Sequence, residues 1–257
     1  MNIGFIGTGK ITTSVIQGLF RSKIKLKQIL ISERNKKNSS ALSKQFKKIK
    51  VVKNNQEIID SSSWVFIAVV PTVAKKILKE LTFKKKQTVV SFVSTLNMNY
   101  LKKILHPAAN IIKAAPLPTI ESKLGPIILF PKNTKVTNFF NNLGMAIVAK
   151  NEQENNYLWT MTATMSTFFE YCNTLESWLV KRKVNSSKAK DLVASLMFGL
   201  SHSMLLSKTK TKQLVGDYQT KKGINEEFLK GLKKSKTFHN MNSNLTKIFE
   251  RIKKGND

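Results

Sequence analysis

The stretch MNIGFIGTGKIT, residues 1–12, decides the fold of this chain. Its mostly apolar start is typical of a buried β-strand, and two glycines, Gly7 and Gly9, follow at once. The next apolar residues recur at helical spacing, at Ile11, Val15, Ile16 and Leu19. A strand, a glycine turn and a helix in this order indicate a dinucleotide-binding fold, because the glycine fingerprint occurs in that context.

The two glycines have separate chemical roles. Gly7 permits a tight turn, and Gly9 has no side chain that would hold a pyrophosphate away from the backbone. The N–H groups and the dipole of the helix start then bind phosphate. We expect Thr12, in the third glycine position, to loosen the helix–strand packing without abolishing binding. The alternative is a glycine turn without a ligand. The predicted cofactor contacts in this segment are Gly7, Thr8, Gly9, Lys10 and Ile11.

The residues after the second predicted strand, Gln28–Ser32, indicate which dinucleotide is bound. They lie about 20 residues past the fingerprint, where an acidic side chain holds the ribose of NAD and an arginine holds the 2′-phosphate of NADP. This chain has Glu33 and Arg34 side by side, and the local charge is positive. We predict NADP(H) as the cofactor, with NAD(H) as the alternative. If Arg34 has no role in binding, it simply starts a solvated loop. The expected contacts are Ser32, Arg34 and Lys36.

The composition bounds the class of protein. A chain of 257 residues can form one or two domains with a substantial core. Its single cysteine, Cys172, allows no internal disulfide and gives no sign of an oxidising compartment. Apolar runs are shorter than the roughly 20 residues of a membrane-spanning helix. A strand beginning at residue 2 leaves no room for a signal peptide. We therefore expect a cytoplasmic protein.

The formal net charge of +29 is compatible with a nucleic-acid-binding protein. Nearly all of the cations are lysines, however, and lysine suits base edges and bidentate phosphate contacts less well than arginine. The lysines are also spread along the whole chain. We therefore predict a small-molecule substrate and neither a nucleic-acid nor a membrane partner.

Strand and helix patterns alternate over residues 1–150, which predicts an α/β fold with a mostly parallel sheet, a Rossmann NAD(P)-binding domain. The later strands are expected at 51–52, 64–70, 88–93, 111–116, 127–130 and 146–149, and the later helices at 39–48, 56–60, 72–81 and 97–105. Ligands bind at the carboxyl ends of such strands. Those ends add Ala68, Val69, Pro71, Ser94 and Pro116 to the predicted cofactor contacts.

The remaining residues, 151–257, have a purely helical pattern. An apolar seam over residues 158–179 predicts a long helix that is buried nearly all round. Asn185 and Asn225 are expected to cap two later helices, and a last helix stops near Gly255. So much apolar surface predicts an all-α dimerisation domain, in a homodimer or a higher oligomer.

The chain resembles the pyrroline-5-carboxylate reductases, which reduce a cyclic imine acid to proline with NAD(P)H. The resemblance covers essentially the whole chain. It is carried by IGFIGTGKI at 3–11, FIAVVP at 66–71, VVSFVS at 89–94, IKAAPLPT at 112–119 and the helical half. It implies an enzyme of proline biosynthesis with a Rossmann domain and a helical dimerisation domain. The imine site then lies where the cofactor end of one subunit meets helices of the dimer.

Departures from the family pattern lie at the site. Val70-Pro71 stands where members have Lys-Pro, and Ser94-Thr95 where they have Ala-Gly. KAAPL at 113–117 replaces Arg-Ala-Met-Pro-Asn. TATMST at 162–167 replaces a glycine-rich helix start, and TKKGIN at 220–225 replaces Ser-Pro-Gly-Gly-Thr-Thr. The substrate is therefore either 1-pyrroline-5-carboxylate or another small imine, keto or hydroxy acid.

The resemblance also implies residue roles. In the family, the loop equivalent to 220–225 holds the substrate carboxylate and ring nitrogen, and an asparagine can both donate and accept there. The structural alternatives are a helix cap for Asn225 and bonds to a preceding carbonyl for Thr164 and Ser166. The expected catalytic residues are Asn225, Thr220 and Thr164, and the expected substrate contacts are Gly223, Ser166 and Thr119.

Two other functions stay open. One is alcohol oxidation, as in β-hydroxyacid dehydrogenases, but these need a lysine in a glycine-spaced helical motif, and Lys181 and Lys183 follow Trp178 instead. The other is a non-catalytic relative that keeps the fold and senses a nucleotide or binds a nucleic acid. We predict no metal site, because the three histidines are scattered, at His106, His202 and His239.

Overall fold

The computed structural model describes residues 1–255. Its strands are β1 (Asn2–Ile6), β2 (Gln28–Ser32), β3 (Ile49–Val52), β4 (Trp64–Ile67), β5 (Thr88–Ser91), β6 (Asn110–Pro116), β7 (Pro126–Phe130) and β8 (Met145–Val148). They form one sheet in the order β3-β2-β1-β4-β5-β6-β7-β8. All neighbours are parallel except β6 and β7, which are antiparallel. The predicted α/β fold is confirmed.

Seven helices of the described chain accompany this sheet. They are α1 (Lys10–Phe20), α2 (Lys36–Gln45), α3 (Asn55–Ser61), α4 (Pro71–Lys79), α5 (Met98–Ile104), α6 (Thr134–Asn141) and α7 (Glu152–Thr160). Five more helices follow, α8 (Met165–Val180), α9 (Ser186–Leu206), α10 (Thr211–Asp217), α11 (Ile224–Lys234) and α12 (Thr237–Lys254). Short 3-10 turns lie at Pro118–Ser122 and Met161–Thr164.

Successive side chains of each strand point to opposite sides of the sheet, and a hydrophobic core lies on each side of its central strands. One face contains Phe5, stacked on Phe66 with ring centroids 4.6 Å apart. The opposite face contains Ile6 and Ile67, the next residues along the same two strands. Apart from Asn2 at the start of β1, both strands therefore lack polar side chains, as expected for the centre of a parallel sheet.

The chain divides into two compact units. The first contains Met1–Thr162 together with the residues from Ile248, and the second contains Ala163–Lys247. The predicted boundary at residue 150 separates the strands from the purely helical sequence. The first compact unit extends beyond it because α7 packs on β7.

Several predicted element bounds were wrong. The predicted helix at 39–48 begins earlier, at Lys36, because the Asn35 side chain accepts the Asn38 N–H and so caps α2. The predicted strand at 64–70 ends at Ile67, before the loop that leads to Pro71. Helix α6 was missed, although Asn133 caps it.

The long helix predicted along the seam at 158–179 is interrupted. Helix α7 ends at Thr160, a 3-10 turn follows, and α8 begins at Met165. The expectation of burial all round is also wrong for the single chain, because no residue of α8 is buried. Phe169 and Trp178 are 68% and 55% exposed.

The predicted helix caps had different outcomes. Asn185 accepts the N–H groups of Ser187 and Lys188, so the predicted cap of α9 is confirmed. The predicted cap at Asn225 is wrong, because Gly223 is the N-cap of α11 and Asn225 lies inside the first turn. The predicted end of the last helix is confirmed, since Gly255 follows α12 with a φ of +74°.

Within residues 1–255, no helix is both long and apolar enough to cross a membrane. The expected cytoplasmic location stays a prediction.

Candidate functional site

The glycine turn between β1 and α1 is held against two neighbouring strands. Gly7 has a φ of +103°, which glycine adopts without strain. A side chain at this position would overlap the carbonyl oxygen of Ala68, just beyond β4. The Gly7 N–H donates to the Ser32 hydroxyl at 2.9 Å, at the end of β2. Gly7 therefore joins the ends of three adjacent strands.

Gly9 has the opposite surroundings. A side chain there would meet no heavy atom within 4 Å, and Gly9 is the N-cap of α1 without a side-chain cap. No neighbouring atom of the protein is thus close enough to require a glycine at this position. The free space beside the helix start suits a phosphate, which the N–H groups and the helix dipole attract.

Thr12 does not loosen the packing of α1. It is fully buried, and its hydroxyl donates to the Gly7 carbonyl oxygen at 2.8 Å. The hydroxyl thus ties the helix to the turn that precedes it, and our expectation of looser packing was wrong. Ser14, two residues further along α1, is also fully buried.

A cleft of about 550 Å³ opens beside the glycine turn. Its lining combines the loops after three strands: Gly7, Thr8, Gly9, Arg34, Asn35, Lys36, Ala68, Val69 and Val70. The sheet order β2-β1-β4 reverses direction at β1, and α/β folds bind ligands at such a reversal. Seven of the predicted cofactor contacts line this one cleft.

Glu33 and Arg34 occupy different surfaces. Arg34 lines the cleft beside the glycine turn, whereas Glu33 lines an adjoining groove with Lys37 and Val51, and Lys36 lines both. Of this pair, the cation is therefore the side chain that lines the cleft. This arrangement favours an anionic group, such as a 2′-phosphate, at the end of β2.

The other predicted cofactor residues lie on the same unit without lining the cleft. Lys10 and Ile11 are the first residues of α1, and Pro71 is the first residue of α4. Ser94 follows β5, and Pro116 ends β6. Ser32 lies behind the turn, where its hydroxyl accepts from Gly7. Their contacts with a ligand stay predictions.

The predicted substrate residues are divided between the two units. Thr119 lies in the 3-10 turn after β6, with its hydroxyl facing Gly125. Thr164 and Ser166 lie at the start of α8. Their proposed roles stay predictions.

Three further predicted residues lie close together in the second unit. The Gly223 N–H donates to the carbonyl oxygen of Thr220 at 2.8 Å, and a side chain at Gly223 would overlap the Thr220 hydroxyl. The Asn225 amide donates to the Tyr218 carbonyl oxygen at 2.9 Å. Residues 218–225 therefore form an ordered turn before α11.

Sequence reasoning missed two asparagines at the cleft. Asn35 lines it and caps α2, and Asn38 donates from its side chain to the Thr8 carbonyl oxygen at 2.9 Å. The signal for the cap was an asparagine between a strand and a helical pattern. Val70, which the sequence analysis named only as a departure from the family pattern, is 61% exposed and gives the cleft an apolar wall.

Over the described residues, no group of three or more His, Cys, Asp or Glu side chains could hold a metal ion.

Comparison with known proteins agrees with this geometry. Residues 2–97 match the family described as NADP oxidoreductase coenzyme F420-dependent. Pyrroline-5-carboxylate reductase 3 of Danio rerio is 29% identical over 119 residues. That match covers 45% of this chain and 41% of the zebrafish protein, so the matched part spans less than half of the relative.

Two solved structures are similar over nearly the whole chain. One is a 1-pyrroline-5-carboxylate reductase of Streptococcus pyogenes, with a TM-score of 0.86, 17% identity and 98% of each chain covered. The other is a pyrroline carboxylate reductase of Plasmodium falciparum with NADP bound. Its TM-score is 0.86 at 18% identity, over 98% of this chain and 97% of that one. The chain therefore has the fold of these two reductases. It shares their two-part fold, as the sequence resemblance predicted.

Replacing Gly9 with alanine separates ligand binding from stability. We expect Gly9→Ala to fold with a stability loss of about 1 kcal/mol or less, because the methyl group meets open space and only the cap is weakened. NADPH affinity should fall at least tenfold, because the methyl group occupies the path of the pyrophosphate. Fluorescence titration and thermal unfolding measure the two effects. Gly216→Ala, also beside open space, is the control; equal NADPH affinity in both variants would contradict this site.

Proposed function

We propose that this chain is an NADPH-dependent reductase of a small cyclic imine acid, with 1-pyrroline-5-carboxylate as substrate and proline as product. The proposal rests on the cleft at the glycine turn, which Arg34 lines. The fold around this cleft is similar to that of a solved 1-pyrroline-5-carboxylate reductase. The matches to pyrroline-5-carboxylate reductases support the substrate class.

The residues of the cleft fit the cofactor. The open space at Gly9 accepts the pyrophosphate, and the start of α1 supplies N–H groups. Arg34, with Lys36 near it, would hold the 2′-phosphate, and Val70 gives the cleft an apolar wall. NADPH, when bound, supplies the hydride that reduces the C=N bond.

The protein's task toward the substrate is positioning. A cyclic imine is protonated or nearly so, and for that reason no strong general acid is required. Hydroxyl and amide groups that hold the carboxylate and the ring nitrogen bring the imine carbon to the reactive geometry. Thr164, Ser166 and the 218–225 turn, with Thr220, Gly223 and Asn225, carry these contacts in our proposal.

We further propose that the protein is a homodimer through its second unit. Helices α8 and α9 expose large apolar side chains in the single chain, including Phe168, Phe169, Trp178, Leu196 and Phe198. An exposed apolar surface of this kind marks an interaction site. A second copy of the chain covers it without any further component.

Purified protein should oxidise NADPH when 1-pyrroline-5-carboxylate is added. The loss of absorbance of the reduced nicotinamide measures turnover, and NADH is assayed in parallel. We expect turnover with NADPH to exceed turnover with NADH at equal concentration. Binding of NADPH without turnover would restrict the proposal to another small imine, keto or hydroxy acid or to a non-catalytic role. Absence of NADPH binding would overturn it.

Removing Arg34 should change the cofactor preference. Arg34→Ala loses a charge-assisted contact worth about 1.5–3 kcal/mol, so NADPH affinity should fall by about 10- to 100-fold while NADH affinity stays within twofold. Isothermal titration of both cofactors measures this. The matched control is Lys37→Ala, an exposed cation outside the cleft. A parallel loss of NADH affinity would show that Arg34 does not meet the 2′-phosphate.

The molar mass in solution tests the dimer. Light scattering should give about twice the chain mass of 29.1 kDa. Phe198→Glu places a charge on the exposed apolar face of α9 and should shift the mass toward one chain. Asn138→Glu adds the same charge at an exposed position of α6 and should leave the mass unchanged. A monomeric wild-type protein would refute this part of the proposal.

A further inference from the structure

A lysine is buried in the sheet, in the middle of β6 and opposite the last residue of β5. Lys113 pairs with Ser91 of β5 and with Phe130 of β7, and only 1% of its surface is exposed. Burial removes the water that solvates an ammonium group, which costs free energy. A methionine of similar length would fill the space without that cost. The charge therefore indicates a role beyond packing.

Three groups surround the ammonium group of Lys113. It donates to the carbonyl oxygen of Ser94 at 3.5 Å and lies 3.8 Å from Glu152 Oε1. It also lies 5.4 Å from the centre of the Trp159 ring. The same oxygen of Glu152 accepts the Met98 N–H at 2.7 Å. Burial lowers the pKa of Lys113, and the negative charge of Glu152 opposes that shift.

These contacts bracket the loop between β5 and α5. Lys113 holds the loop at Ser94, and Glu152 holds the first residue of α5, Met98. Between them, the hydroxyl of Thr95 is buried and has no hydrogen-bond partner among residues 1–255. The Thr95 side chain therefore does not fix the loop. The β5–α5 loop is instead held by two residues outside it, Lys113 on β6 and Glu152 on α7.

The position of the loop gives this pair a function. The sheet order β2-β1-β4-β5-β6 places Arg34 at one end of the binding edge, the glycine turn next and the β5–α5 loop beyond β4. A dinucleotide that lies with its adenine side at Arg34 and its pyrophosphate at the turn extends toward β5.

We propose that Lys113 is a positioning residue that holds the β5–α5 loop in the shape that receives the nicotinamide half of NADPH. This inference rests on the proposed function. Lys113 touches neither the cofactor nor the substrate in this proposal; it acts through Ser94 and Glu152.

The test compares a half ligand with the whole cofactor. Adenosine 2′,5′-bisphosphate reaches only the Arg34 side of the cleft, whereas NADPH reaches the loop as well. For Lys113→Met we expect unchanged affinity for the bisphosphate and at least a tenfold loss of NADPH affinity. The melting temperature should fall by only a few degrees, because the desolvation cost of Lys113 is removed while Glu152, whose side chain is about one-third exposed, stays partly solvated. Lys113→Arg, which keeps the cation, should restore NADPH affinity to within threefold.

A second measurement follows the loop without any ligand. Hydrogen exchange should become at least tenfold faster in residues 92–98 of Lys113→Met, because Glu152 loses its cation and releases Met98. Lys50→Met is the matched control. This variant also removes the lysine partner of a glutamate, because Lys50 Nζ lies 2.7 Å from Glu57 Oε1. That ion pair, however, is on the exposed surface. It should change neither readout.

The outcomes distinguish this inference from the proposed function. Wild-type protein that binds NADPH, with Lys113→Met binding equally well and exchanging at the same rate, would overturn the role of Lys113 and leave the function standing. Equal losses for NADPH and the bisphosphate would show a general structural role and also overturn it. Wild-type protein that binds neither ligand would overturn the proposed function, and the cofactor role of Lys113 with it.

Discussion

The backbone turn at Gly7 is the constraint on which the binding edge of the sheet depends. Its positive φ is open to glycine, and the close approach of Ala68 leaves no room for a side chain. Because its N–H is bonded to Ser32, the turn fixes the ends of β1, β2 and β4 together. The buried hydroxyl of Thr12 then fastens α1 to the same turn. The cleft is the space that these contacts leave open.

Most of the fold could be predicted from patterns among residues that are close together in the sequence. The strand, the glycines and the helical spacing of residues 1–20 involve near neighbours in the chain, and both the α/β class and the glycine turn followed from them. Seven of the predicted cofactor contacts line one cleft because they lie at the carboxyl ends of parallel strands. The cap of α9 by Asn185 was equally local. Sequence reasoning succeeded where a few adjacent residues determine the geometry.

Features that depend on distant residues were not predictable in this way. Lys113 is buried only because β5, β7 and α7 enclose it, and its partner Glu152 lies far along the chain. The Asn225 cap failed because Gly223 begins the helix two residues earlier. The seam at 158–179 has helical spacing throughout, but the 3-10 turn at Met161–Thr164 interrupts it. The exposure of α8 shows that an apolar pattern specifies burial without specifying what covers it.

The return of the chain to the first unit has a consequence for synthesis on the ribosome. Phe249 stacks on Tyr157 at 4.5 Å, and Ile252 packs on the cluster of Ala115, Ile128 and Trp159. The whole stretch Ala163–Lys247 is translated between these partners, which takes on the order of ten seconds. During that interval Tyr157 and Trp159 of α7 lack their contacts with α12. Completion of the sheet unit is therefore timed by translation of the helices that follow it.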